Sequence, residues 1–307
     1  MSGSKFDMVT ILGSTASGKT EIAVNLALKL GGEVISADSR QIYRKMDLGT
    51  GKDIAEYRVN GVDVPYHLID IAEAGYQYNV FEFQRDFLKV YQTVKEKGNF
   101  PVMCGGSGMY LEAILKGYRL VQVPVNDSRR EELQLLSLEA LKEILKKYKS
   151  INNKSDTENK KRAIRAIEIE EYCSAHPLID LSFPDINSLI VGIKFDRESR
   201  RRRITARLKQ RIDNGMIDEV RDLLDGDIKP EDLTYYGLEY KYVTLYITGQ
   251  LNYDEMFNSL NTAIHQFAKR QMTWFRKMER EGFEIRWLDG YMPICEKTDK
   301  ILFWLNQ

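Results

Sequence analysis

The chain has 307 residues, 43% hydrophobic and 29% charged, so it is globular by composition and long enough to bury a sizeable core. Lys+Arg and Asp+Glu both total 45, which excludes a global basic field and leaves any nucleic-acid site to a local patch. Cys104, Cys173 and Cys295 have no paired spacing, nowhere do 18 apolar residues run together, and no apolar signal core follows Met1, so disulfides, thiolate metal sites and membrane spans are not expected and a cytoplasmic protein is.

Met8–Leu12 is an apolar run that predicts a buried strand, and Ile22, Ala23, Leu26, Ala27 and Leu30 recur at helical spacing. Between them lies Gly13-Ser14-Thr15-Ala16-Ser17-Gly18-Lys19-Thr20, two glycines five apart ahead of Lys and Thr. A loop of this kind between strand and helix folds its N–H groups around phosphate oxygens, with the helix N-terminus adding favourable potential. Lys19 would neutralise phosphate charge and the Thr20 hydroxyl would reach a phosphate-bound Mg²⁺. The loop implies a di- or triphosphate ligand and leaves the reaction open.

Glu33–Ala37 predicts a second strand, ending in Asp38-Ser39-Arg40-Gln41. A carboxylate just past a strand's carboxyl end lies on the edge of a parallel sheet where ligands bind, so Asp38 is a candidate general base, with a turn-capping role equally open. His67–Ile71 predicts a third strand, whose Asp70 is a candidate Walker-B-type acceptor beside Mg²⁺ or a cap. Val80–Lys97 predicts an amphipathic helix, and Phe100–Cys104 a strand running into Gly105-Gly106-Ser107-Gly108, where glycines around a hydroxyl permit close approach of a ligand or simply a tight turn.

From Val121 strands vanish, and Glu131–Leu138, Leu141–Tyr148 and Asn159–Tyr172 predict three helices, the last capped from Asp156-Thr157-Glu158 and basic at Lys160, Lys161, Arg162 and Arg165. The expected organisation is a P-loop (NTPase-like) α/β core of parallel strands flanked by helices, over 1–120 and 188–307, with an all-helical insertion over 121–187. Ser188–Phe195 returns to a strand. A helix from Asp196 carries an apolar stripe at Ile204, Leu208 and Ile212 beside an arginine stripe at Arg203, Arg207 and Arg211, which suits an anion clamp or a salt-bridged surface. Thr234-Tyr235-Tyr236-Gly237 is expected to open a helix through Tyr246. Thr262–Arg280 predicts another helix with Ile264, Phe267, Gln271, Trp274 and Met278 inward, ahead of a strand at Phe283–Leu288 and a helix at Thr298–Leu305.

These segments resemble the tRNA dimethylallyltransferase (tRNA isopentenyltransferase) family over most of the chain. The resemblance rests on Gly13–Thr20, Ile35-Ser36-Ala37-Asp38-Ser39 with Ile42-Tyr43 and Met46–Thr50, Gly105-Gly106-Ser107, Arg165–Glu168, Arg203-Ile204 with Arg207, and Ala268–Arg276, in the family's order. It implies transfer of a dimethylallyl group from its diphosphate to N6 of the adenosine 3′ to the anticodon in tRNA, by a monomer needing no membrane. By the same resemblance Asp38 takes the N6 proton, Ser107 contacts substrate, and Lys19, Thr20, Arg207 and Mg²⁺ stabilise the leaving diphosphate. Asp38, Ser39, Arg40, Gln41, Ser107, Arg130, Lys161, Arg162, Ala163, Ile164, Arg165, Thr234, Tyr235, Tyr236 and Gly237 would touch tRNA. Gly237-Leu238-Glu239 stands where the family has Gly-Tyr-Arg/Lys, which puts Glu239 beside the expected RNA surface, and His265 replaces a common Arg.

Prenylation of a free adenine nucleotide and a P-loop kinase remain as alternatives. A GTPase is not expected: Asn153-Lys154-Ser155-Asp156 follows a helix rather than a strand, and no Asp has Gly three residues later.

Overall fold

The computed structural model describes residues 5–148, 154–176, 182–226 and 228–307. Asn153 of the Asn-Lys-Ser-Asp tetrad lies outside them. The chain forms two compact units, Met1–Gly117 with Asp185–Gln307, and Tyr118–Pro184.

The larger unit is built on β1 (Met8–Gly13), α1 (Lys19–Leu30), β2 (Gly32–Ser36), a hairpin of β3 (Arg58–Val59) and β4 (Val62–Asp63), β5 (Tyr66–His67), α2 (Val80–Glu96), β6 (Phe100–Gly105) and α3 (Gly108–Leu115). Among the described residues the main sheet has six parallel strands in the order β5-β2-β6-β1, continued by two strands from the C-terminal half. β1 is central, every residue of it buried, and pairs Val9 with Val102 on one side and Leu189 on the other. Its near-continuous apolar run follows from burial on both faces, as parallel sheets require. α1 packs back over β6 and β2 through Ile22, Ala23, Leu26 and Ala27, and stops at Gly31, whose φ of +60° closes the last turn. α2 is set by a capping box of Asn79 and Glu82.

The third strand is shorter than its apolar run predicts. β5 holds only Tyr66 and His67, because Leu68 (φ +60°) and Asp70 (φ +55°) turn into the left-handed region. Asp70 is no Mg²⁺ acceptor here. Its carboxylate binds Lys52, whose ammonium is fully buried and also donates to the Tyr43 carbonyl and Asp47, each at 2.6 Å. Asp47 and Asp70 are part-exposed, so water screens this cluster, and Lys52→Met is expected to cost about 2 kcal/mol in urea unfolding, below the ~3–5 kcal/mol of a broken, fully buried pair.

The smaller unit, by itself, holds α4 (Asp127–Gln134), α5 (Leu138–Lys146) and α6 (Lys160–Ala175) around Leu133, Leu141, Leu145, Ala163 and Ile167. α4 lies four residues earlier than predicted because Asn126 caps it, its side chain accepting from Arg129 N, while Ser137 caps α5. The cap of α6 is Asn159 rather than Asp156-Thr157-Glu158, of which Asp156 and Thr157 belong to a short 3₁₀ turn.

The larger unit resumes with β7 (Ser188–Lys194), α7 (Arg197–Asp213), α8 (Met216–Asp225), α9 (Pro230–Leu233), α10 (Leu238–Ile247), α11 (Tyr253–Arg280), β8 (Ile285–Asp289) and α12 (Ile294–Leu305), with β7 beside β1 and β8 at the edge. On α7 the third buried position falls to Arg211, 9% exposed, rather than Ile212. Thr234–Gly237 is a turn between α9 and α10 and does not open a helix. α11 starts nine residues ahead of its predicted Thr262, fixed by a capping box of Asn252 and Glu255. Its buried stripe includes Gln271 and Phe275, while Phe267 faces outward at 38% exposure. Among the described residues no helix is long and apolar enough to cross a membrane.

Candidate active site

The site forms at the carboxyl edge of the sheet, where the turns after β1, β2 and β6 meet. After Gly13 the chain folds through Ala16 at φ +60° and Gly18 at φ +74° into α1. Gly13 has no room for a side chain: a Cβ would lie 2.5 Å from Ser17 Oγ. That hydroxyl is buried and has no hydrogen-bond partner among the described residues. An orphaned donor inside a glycine loop at a helix N-terminus suits a phosphate oxygen. Burial lowers the Lys19 pKa, Asp38 and the buried Cys104 work to keep it charged, and Arg207 opposes them. Thr20 sits against the Cys104 thiol, which burial pushes up to about 12, so the sulfur is an inert neighbour.

The turns after β2 and β6 are stitched together. Ala37 N donates to the Cys104 carbonyl at 2.7 Å, and a Cβ on Gly105 would lie 2.2 Å from the Ala37 oxygen. Asp38 Oδ1 accepts from Arg40 N at 3.0 Å, which fixes the carboxylate in a tight turn. Ser107 Oγ accepts from Ser39 N at 2.9 Å and donates to Ser39 Oγ at 3.2 Å. The hydroxyl therefore holds the strap that carries Asp38. Gln271 of α11 joins this half to the phosphate loop: its carbonyl accepts from Thr15 N and its amide donates to the Gly106 carbonyl, both at 2.9 Å.

From α7, Arg203 donates to the Ala16 carbonyl at 2.9 Å, with its guanidinium 4.6 Å from the centre of the Phe195 ring. Arg207 pairs with Asp53. Thr15, Ala16, Arg207, Arg211 and Glu239 line one pocket together with Ile204, Leu208 and Ile264.

A family model, IPP transferase, matches residues 41–278. The chain belongs to the IPP transferase family. A Bacteroides fragilis relative named tRNA dimethylallyltransferase 2 is 61% identical over 294 residues, covering 96% of each chain. A Phocaeicola vulgatus relative of the same name is 58% identical over 98% of each. Among solved structures, a full-length tRNA isopentenylpyrophosphate transferase from Bacillus halodurans superposes with a TM-score of 0.71 at 32% identity, covering 98% of this chain and 97% of that one.

In this IPP transferase the residues expected to touch RNA divide by burial. Arg40 donates to the Tyr235 carbonyl at 2.7 Å and lies over its ring, so Ser39–Arg40 and Thr234–Gly237 share one surface, with Thr234 and Tyr235 exposed. Tyr236 is core, 2% exposed, its hydroxyl accepting from Gly75 N and its ring edge-on to Tyr43. Gln41 is 8% exposed and bridges Ser36 Oγ to the Gly51 carbonyl, so its side chain is closed to RNA. Glu239 lines the pocket with Arg211 and Arg207 and also lies near Gly237 and Arg40, and burial raises its pKa against the pull of Arg211 and Arg207.

Within the insertion, Ala163 and Ile164 are buried in the helical core, 0% and 5% exposed, and offer no side chain to a partner. Glu168 accepts from Arg130 at 2.8 and 2.9 Å and from Arg165 at 3.1 Å, and Arg165 also reaches the Val123 carbonyl at 2.9 Å. Burial disfavours ionised Glu168, but these arginines outweigh it and hold the carboxylate below its usual range. Arg130 and Arg165 thus brace the insertion while staying about one third exposed, whereas Lys161 is exposed and Arg162 pairs with the exposed Glu158.

Sequence reasoning missed Gln271 as a site residue, along with Asp53, while Arg211 belongs to the arginine stripe it did mark. A polar residue on an otherwise apolar helical stripe was the available sign of the first. Asp53 lies in a loop, where no local pattern marks it.

Proposed function

We propose that this chain transfers the dimethylallyl group of dimethylallyl diphosphate to N6 of the adenosine 3′-adjacent to the anticodon in tRNA, releasing diphosphate. The observation that carries this reading is the joining, through Gln271 and Ser107, of a phosphate loop holding an unpartnered buried hydroxyl to a turn presenting Asp38. Family membership supplies the reaction class.

In the reaction the N6 lone pair forms a bond to C1 of the donor, the C1–O bond to diphosphate breaks, and the N6 proton passes to Asp38. The loop N–H groups, Ser17, Lys19 and Arg207 hold the diphosphate and bear the charge that grows on its bridging oxygen, which is where preorganised donors are most effective. Ser107 fixes the Ser39 strap and so orients Asp38. The Thr20 hydroxyl, at the start of α1 beside the loop, suits a Mg²⁺ ion carried by the diphosphate, and such an ion supplies further charge neutralisation. Arg40, with the exposed Tyr235 beneath it, is a half-buried cation on an aromatic ring, fit for a phosphate or an unstacked base of the anticodon loop. A reaction on tRNA puts the enzyme in the cytoplasm.

The test is a transfer assay with labelled donor, Mg²⁺, unmodified tRNA and, separately, AMP. Label is expected in tRNA and not in AMP. Label in AMP would assign the free-nucleotide reaction, and ATP turnover with label in neither would assign a kinase.

A further inference from the structure

The loop from Met46 to Asp53 is held far more firmly than a surface loop needs to be. Glu219 of α8 accepts from three successive backbone N–H groups, Asp47 at 2.8 Å, Leu48 at 2.7 Å and Gly49 at 3.0 Å, and from the Tyr240 hydroxyl at 2.7 Å. Gln41 donates to the Gly51 carbonyl at 2.9 Å, and the buried Lys52 anchors the next residue. Asp53 then sits at φ +47°, a left-handed conformation costly for a residue with a Cβ, though Asp tolerates it better than most. The result aims its carboxylate at Arg207, and at Arg211 3.6 Å away. Gly51 makes the space: a Cβ there would fall 1.6 Å from one Arg211 nitrogen and 2.9 Å from one of Arg207.

We propose that Asp53 is a built-in competitor for the diphosphate: it neutralises Arg207 while the site is empty, is displaced when the donor's diphosphate arrives, and by returning helps expel the diphosphate product. This inference rests on the reading of Arg207 as a diphosphate ligand. Asp53 pairs with Arg207 and Arg211, and both arginines line a pocket with Glu239, so carboxylates already offset part of the arginine charge there. A phosphate entering such a pocket must exchange one anion for another, and its net attraction is reduced accordingly. A rigid loop makes the exchange reversible, since Asp53 returns to one position instead of collapsing elsewhere.

Inorganic pyrophosphate is the probe, titrated calorimetrically into wild type, Asp53→Asn and Asp53→Gly, with and without Mg²⁺. Asn and Gly both accept a positive φ and both remove the charge. Each is expected to bind pyrophosphate about tenfold tighter than wild type, with the gain shrinking as salt rises. A residue that merely braced the loop would give weaker binding or none of this gain. Unchanged or weaker binding in both variants would overturn the inference, as would a weakening seen only with Mg²⁺, which would make Asp53 a metal-side group. If neither wild type nor the Asp53 variants bound pyrophosphate, or if Lys19→Ala bound it as tightly as wild type, the diphosphate reading itself would fall and this inference with it.

Discussion

Asp38→Asn is expected to lower transfer to tRNA about a thousandfold, within the range that a positioned general base contributes. Asn keeps the acceptor that receives Arg40 N at 3.0 Å, so the turn and the Ser39–Ser107 contact stay in place and only the proton acceptor is lost. Binding of pyrophosphate and of tRNA is expected to persist, which separates chemistry from recognition. One secondary effect has a definite sign. Asp38 is the strongest of the charges keeping Lys19 protonated against its burial. Removing that carboxylate lowers the Lys19 pKa further, so pyrophosphate binding, which needs the ammonium, is lost at lower pH than in wild type as pH rises. A rate within tenfold of wild type would put the base elsewhere, and an unmoved alkaline limb of binding would separate Lys19 from Asp38.

The longer strands and most helices were legible because each carries an apolar pattern that burial explains, whereas the two-residue β3 and β4 carry none. Met8–Leu12 is apolar throughout and sits mid-sheet, while Ile22, Ala23, Leu26 and Ala27 mark one face of α1. The phosphate loop was legible because its conformation depends on small residues at fixed places, Gly13 against Ser17 and Gly18 in the left-handed region. Errors came where a distant partner decided the outcome. His67–Ile71 reads as a strand, but Lys52 draws Asp70 out of it, and nothing within those residues reports a lysine 18 positions earlier. Phe267 and Phe275 are alike in type and α11 buries only the second, because its stripe is set by α3, α7 and α10 together. The basic run at 160–165 reads as one surface, yet its middle, Ala163 and Ile164, is core, and Arg165 turns to Glu168. Charge in a sequence says nothing about which carboxylate a guanidinium will meet.

Gln271→Met is expected to lower kcat about a hundredfold, since an ångström of misplacement at a reacting centre costs on this order. Met matches the length and fills the same buried space, so what it removes is the pair of hydrogen bonds, leaving Thr15 N and the Gly106 carbonyl without their partner. An unpaired buried group costs about 1–3 kcal/mol, which the two turns can relieve only by moving apart or admitting water. That movement falls along the line between the loop proposed to hold the diphosphate and the turn that holds Ser107 and, through it, Asp38. The KM for donor is expected to change little, because Thr15 N, once released, becomes one more donor for phosphate. Gln271→Glu divides the effect. It still accepts from Thr15 N but sets an oxygen against the Gly106 carbonyl, so a loss larger than that of Met would assign the dominant role to the Gly106 side, and a smaller one to Thr15. If either variant lost only thermal stability, with kcat per folded molecule unchanged, Gln271 would be a packing residue and the spacing of the two turns would be set by the sheet alone.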